Sequence, residues 1–198
     1  MKKKPLIIKR IFFIILFIVL LPVLCIVGLV KGIIKLHKKR KFNSTNYDKQ
    51  MFLADADIER VDIMEGYEFE VFLRRMFFYL GFDAKETQKS KDYGADLVLK
   101  KDGKIYIVQA KRYKKSVGLG AVQEVISAKN HYGATEAICI TNSRFTPEAE
   151  TLAKENQVEL IERAELVEIL SRLKVELAGK EDSTTPANSF NDLYKFRI

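Results

Sequence analysis

The feature that most constrains this chain is an uncharged run from Ile11 to Val30, IFFIILFIVLLPVLCIVGLV, set between Arg10 and Lys31. Twenty residues at about 1.5 Å each span roughly 30 Å, the thickness of a bilayer's hydrocarbon core. The run predicts a single membrane-spanning helix. Pro22 and Gly28 are compatible with that reading, because both are tolerated inside membrane helices. A cleaved secretory signal fits poorly. Its apolar core spans about 7–15 residues and ends in a small-x-small site, whereas this run is longer and reads Pro22-Val-Leu-Cys25 before Ile26.

Charge follows the same division. Residues 1–41 hold eleven Lys/Arg and no acid, whereas residues 42–198 hold 23 Lys/Arg against 26 Asp/Glu, a net −3. The basic character of the chain therefore flanks the apolar run and suits contact with anionic lipid headgroups. Five basic residues precede the run and six follow within eleven residues. The positive-inside rule thus tips only slightly toward a single-pass protein of the cell membrane with a cytoplasmic C-terminal body. Cys25 and Cys139 lie in the apolar run and in a later strand, which implies no disulfide framework.

The order expected after the anchor (1–41) is a polar linker over 42–63 with a short helix near Ala54–Val61, a compact domain over 64–175, and a flexible tail over 176–198. Phe69, Phe72, Leu73, Met76, Phe77 and Leu80 recur at helical spacing and predict a helix over 66–80 closed by Gly81. Three strands are expected at 82–87, 95–100 and 105–111. Asp102-Gly103 between the last two suits a two-residue hairpin turn. A helix over 120–132, a strand over 137–141, a helix opened by Thr146-Pro147, a strand over 158–161 and a helix over 164–173 complete a mixed α/β sheet flanked by helices.

With that turn, Val98 faces Ile107 and Asp96 faces Gln109. Strand alternation then puts Asp96, Gln109 and Lys111 on one side. One carboxylate, one amide oxygen and one ammonium would converge at the hairpin end away from the turn. A hard cation such as Mg²⁺ takes oxygen ligands, commonly one or two carboxylates with substrate phosphate. Asp96, Gln109 and the Ala110 carbonyl would supply those oxygens, Lys111 would stabilise developing charge or help activate water, and Glu70 would add an acid from the first helix. Parity alone leaves this reading level with an ordinary surface Asp–Lys pair on a hairpin.

Gly66-Tyr-Glu-Phe-Glu70, Leu80-Gly-Phe82, Ser90-Lys-Asp-Tyr-Gly-Ala-Asp96, Val108-Gln-Ala-Lys-Arg-Tyr113 and Ile140-Thr-Asn-Ser-Arg-Phe-Thr146 follow one another in consistent order. Together they resemble the Mrr-type restriction endonuclease domain, a branch of the PD-(D/E)xK nuclease superfamily. The resemblance implies a restriction-endonuclease-like fold and hydrolysis of DNA phosphodiester bonds with Mg²⁺, or with Mn²⁺ in its place. It makes Asp96 the metal-binding acid, Gln109 and Lys111 the Gln-x-Lys signature, and Glu70 the helix acid. Gln109 stands where the wider superfamily has a second strand acid. The separate DNA-recognition domain of fully Mrr-like enzymes is replaced here by the apolar segment, so no preference for modified DNA carries over.

DNA would meet the basic stretch 100–115, which holds seven Lys/Arg against Asp102 alone. Arg112, Lys114 and Lys115 follow the signature and suit phosphate contacts, and Lys89, Ser90 and Lys91 lead into Asp96. Gln123 resembles a family position facing the site. Two copies would pair to cut both strands, a homodimer in the manner of related nucleases. The rival readings are a non-catalytic module tethering DNA to the membrane and an interaction protein whose basic hairpin meets lipid or an acidic partner.

Overall fold

A computed structural model of the chain describes residue 31, residues 47–87 and residues 93–179. The expected membrane helix over 11–30 lies outside the described residues, as does the tail from 180 onward. Among the described residues no helix is long and apolar enough to cross a membrane. The sheet and its helices belong to the compact unit that begins at Asp48.

Five strands form one sheet in the order β1 to β5: Asp83–Glu86, Leu97–Lys101, Lys104–Lys111, Glu136–Thr141 and Val158–Ile161. The first three pair antiparallel and the last three parallel. The mixed sheet expected from the sequence is therefore present. Its hairpin carries the expected register, Val98 opposite Ile107 and Lys101 opposite Lys104. Asp102 at φ 50° and Gly103 at φ 77° both occupy the left-handed region, as a type I′ turn requires.

Helices cover both faces. Following α1 (residues 47–55) and α2 (Ile58–Asp62), α3 (Gly66–Tyr79) buries Phe69, Phe72, Leu73, Met76 and Phe77. These pack with Leu97, Val108 and Ala110 from the sheet and with Leu166, Ile169, Leu170 and Leu173 of α6 (Arg163–Gly179). The opposite face carries α4 (Leu119–Tyr132) and α5 (Pro147–Glu155), whose Ala121, Val122, Val125 and Ala149 meet Ile107 and Cys139. Local signals set the helix ends. The Glu65 N–H donates to Glu68 Oε2 at 2.8 Å, half of a capping box, and Thr146 Oγ1 accepts from the Ala149 N–H ahead of Pro147.

Two expectations of chain organisation change. Much of the stretch read as a linker is helical and packed. Phe52 of α1 is fully buried, stacked on Phe72 at 5.4 Å and tilted against Tyr79 at 5.0 Å between ring centroids. Burying a phenylalanine contributes about 1.5–3 kcal/mol, which outweighs the polar composition around it. At the other end α6 continues past Leu173 to Gly179, because Leu177 extends its apolar stripe and is buried.

Candidate functional site

The site lies at the end of the hairpin away from its turn, where β2 begins and β3 finishes. Tyr93 at φ 49° and Gly94 at φ 86° turn the chain into this end. Only glycine fits the second position: a Cβ there would stand 2.8 Å from the Glu124 carbonyl oxygen and 2.9 Å from the Glu124 Cβ. The Gly-x-Asp pattern therefore records a close approach between the Asp96 turn and α4.

Asp96 does not continue the hairpin register. Leu97 pairs with Val108, and the Asp96 N–H also donates to the Val108 carbonyl, at 2.8 Å. Two residues thus stand opposite one, the geometry of a β-bulge. The Asp96 carbonyl accepts from the Thr87 N–H at 3.0 Å, so the backbone is held from both neighbouring strands. The bulge carries the Asp96 carboxylate past the expected cross-strand position. Its Oδ2 accepts from Gln109 Nε2 and from the Ala110 N–H, each at 2.7 Å.

Gln109 is only 4% exposed. With its Nε2 committed to Asp96, its Oε1 is a buried acceptor without a hydrogen-bond partner. Such an atom costs about 1–3 kcal/mol when left unsatisfied. An oxygen donor held beside a carboxylate, with no proton to accept, fits a hard cation. The N–H and C=O of one strand residue lie on the same edge, so the Ala110 carbonyl shares the edge on which its N–H meets Asp96. These are the donors the sequence suggested for Mg²⁺.

Lys111 shares strand and face with Gln109, but its partner comes from α4. Its Nζ lies 2.7 Å from Glu124 Oε2. Burial pulls the ammonium's pKa down, yet the hydrogen bond and charge of Glu124 outweigh it and hold Lys111 above the usual lysine range, with a smaller contribution from Asp96. Lys111 is thereby kept protonated at neutral pH. Behind them Cys139 pairs in register with Gln109, and burial pushes its thiol up to about 12, which makes it an inert wall rather than a nucleophile.

The other residues singled out from the sequence are distributed over neighbouring elements. Glu70 is half-buried on α3, the helix covering the other face of the sheet from Lys111 and Glu124. Lys114 and Lys115 are exposed beyond β3, and Gln123 is exposed on α4. Arg112 is partly buried, and its charge acts on Asp62. Lys89, Ser90 and Lys91 lie outside the described residues.

Glu124 is the residue that reading along the sequence overlooked in favour of its neighbour Gln123. A signal existed: Glu124 falls three after Ala121 and four before Ala128, both buried. Glu124 therefore borders the apolar stripe at the solvent margin, on the side of α4 that meets the sheet. Its partner is the lysine of the Gln-x-Lys signature.

Among solved structures, the chain is similar to a protein of unknown function, AF1548, at 20% identity and TM-score 0.48, over 58% of this chain and 67% of that one. It is similar also to the DNA modification-dependent restriction endonuclease AspBHI, at 16% identity and TM-score 0.45, over 67% of this chain. A third is the MspJI restriction endonuclease in complex with a 27-mer oligonucleotide, at 19% identity and TM-score 0.41, over 76% of this chain. The chain spans 39% of the length of each of these two enzymes. No curated protein matches it. Residues 61–170 match the family model Mrr_cat, restriction endonuclease, and the chain belongs to that family, with a restriction-endonuclease-like nuclease domain.

Proposed function

We propose that the chain is a membrane-anchored DNA endonuclease that hydrolyses phosphodiester bonds with Mg²⁺, or with Mn²⁺ in its place. The observation that carries this reading is the buried, partnerless Oε1 of Gln109 beside the Asp96 carboxylate, one residue before Ala110 and two before a protonated Lys111.

Asp96, Gln109 Oε1 and the Ala110 carbonyl would hold the cation. When bound, it supplies Lewis-acid polarisation of the scissile phosphate and activation of water. The protein's own groups do the rest. The bulge at Asp96 fixes its carboxylate through two N–H donors, so the donor set is formed before substrate arrives. Lys111, kept cationic by Glu124, acts on the negative charge that develops on phosphate oxygen and not as a base. Lys114 and Lys115 leave the strand end exposed to solvent, where they suit backbone phosphates. Arg112 and Gln123 would extend those contacts, Lys89, Ser90 and Lys91 would add to them, and Glu70 stands as a further acid at the α3 side.

The apolar run 11–30 anchors this domain to the membrane, with the body on the cytoplasmic side. Two copies cut the two strands of a duplex as a homodimer. The test is incubation of the purified full chain with plasmid, single-stranded and modified DNA. Cleavage with Mg²⁺ or Mn²⁺ that chelation abolishes is expected; salt-dependent DNA binding without cleavage in any metal contradicts the enzyme reading. Alkaline carbonate washing tests the anchor: the full chain stays with the membrane, and a chain lacking residues 1–41 is released.

A further inference from the structure

Beyond Lys111 the β3 ladder ends, yet the next residues are fixed by side chains of the neighbouring strand's end. The Lys111 carbonyl accepts from Thr141 Oγ1 at 2.7 Å. The Tyr113 N–H donates to Asn142 Oδ1 at 2.8 Å. Arg112 thus lies between two peptide groups pinned by consecutive residues. Asn142 is only 4% exposed and is itself held from the far side: its Nδ2 donates to Asp62 Oδ1 at 2.8 Å. Asp62, at the end of α2, accepts from both Arg163 Nη1 at 2.7 Å and Nη2 at 2.8 Å. Arg163 Nη1 also donates to the Asn142 carbonyl at 3.1 Å.

This chain of bonds joins three distant parts of the sequence, α2, the end of β4 and the start of α6, and it terminates on the backbone of the basic segment 112–115. A surface loop of lysines needs no such anchoring. Thr141 and Asn142 are buried, and buried polar groups paired in this way specify one geometry, because an alternative leaves a donor or acceptor unsatisfied; the Asp62–Arg163 pair closes the chain of bonds at the solvent margin. Arg112 is near enough for its charge to act on Asp62, although its Nε is buried without a hydrogen-bond partner.

Resting on the nuclease reading, we propose that Asn142, backed by the Asp62–Arg163 ion pair, is a positioning residue that sets the direction in which the phosphate-binding segment Arg112–Lys115 leaves the catalytic strand. It touches neither DNA nor metal in this role. It acts through the Tyr113 amide and so governs where Lys114 and Lys115 present their charges. A helix outside the sheet thereby becomes part of the substrate-binding apparatus.

The experiment uses the full chain labelled with ¹⁵N-tyrosine, which reports the Tyr113 amide directly. Three proteins are compared: wild type, Asn142→Ala and Asp62→Asn. Asn142→Ala removes the acceptor of the Tyr113 N–H, whereas Asp62→Asn keeps that acceptor and weakens only the support behind Asn142. We expect Tyr113 amide exchange to rise about tenfold or more in Asn142→Ala and by less in Asp62→Asn. Affinity for a duplex oligonucleotide without metal should fall in the same order, by about tenfold in Asn142→Ala, while the other tyrosine amides keep their wild-type exchange. Unchanged Tyr113 exchange and affinity in Asn142→Ala overturns the proposal, as does a rise shared by all the tyrosine amides, which marks a general loss of stability. Should Asn142→Ala not fold, the same two readouts in Asp62→Asn decide the proposal. Failure of wild type itself to bind DNA overturns the nuclease reading instead, a result distinct from bound DNA whose affinity ignores Asn142.

Discussion

Lys111 Nζ stands 2.7 Å from Glu124 Oε2, so the signature lysine of the catalytic strand is held by a carboxylate from the helix packed across it. Glu124 is about half exposed, at 47%, and an ion pair so placed contributes little to stability, under about 1 kcal/mol. Its effect on function should be larger, because it fixes both the position and the charge of Lys111. Glu124→Gln is expected to lower the rate of DNA cleavage on the order of tenfold, while denaturant unfolding moves by less than about 1 kcal/mol. A parallel loss of stability and activity would show a structural pair only.

Gln109→Glu exchanges a neutral donor for a second carboxylate against Asp96. It removes the Nε2–Oδ2 hydrogen bond and opposes two buried charges, so the metal-free variant should lose about 1–3 kcal/mol. The added charge should bind a divalent cation more strongly. Adding Mg²⁺ or Mn²⁺ is therefore expected to raise the melting temperature of Gln109→Glu more than that of the wild type. An equal metal response in both proteins would remove Gln109 from the donor set.

Gly94→Ala should be worse than Gly103→Ala, although both glycines adopt positive φ. At Gly103 nothing lies within 4 Å of an added Cβ, whereas at Gly94 the Glu124 backbone stands 2.8 Å away. The left-handed conformation alone costs about 1 kcal/mol, the loss expected at Gly103. At Gly94 the clash adds to it and displaces α4 from the Asp96 turn, so that variant should lose roughly 2–4 kcal/mol and most of its cleavage activity. Chemical denaturation of the two variants makes the comparison.

Glu159 of β5 gives stability a pH dependence. Burial first, and then the nearby Glu136, push its carboxyl up to about 7. A carboxyl raised in the folded state stabilises the fold only while protonated. That contribution is complete below the ordinary value of 4.5 and is lost as pH rises through about 7. Glu159→Gln should therefore gain stability over the wild type at pH 8 and much less at pH 5. A difference between the two proteins that does not change with pH would show Glu159 to be ordinarily solvated.

The sheet was largely legible because its signals are local. Asp102-Gly103 dictated the hairpin register, Thr146-Pro147 the start of α5, and the apolar stripe from Phe69 to Phe77 the course of α3. What escaped was tertiary in origin. The bulge at Asp96 depends on the left-handed turn at Tyr93-Gly94 and on bonds to both neighbouring strands, which no alternation rule contains. Glu124 became visible only once the phase and docking of α4 were known. Residues 47–62 resembled a linker because their composition is polar, and the burial of Phe52 between Phe72 and Tyr79 decides otherwise. Asn142 was visible only within a resembling stretch, since its role lies in a hydrogen bond to Asp62, eighty residues away.

The most direct test of the central claim is one cleavage assay on supercoiled plasmid with wild-type full chain, Asp96→Ala and Lys111→Ala, each with Mg²⁺ and with chelator. The wild type should nick or linearise DNA only with Mg²⁺. Both variants should remain folded and lose about a hundredfold or more in rate. Equal cleavage by all three proteins, or cleavage undiminished by chelator, would contradict the assignment of catalysis to Asp96, Gln109 and Lys111.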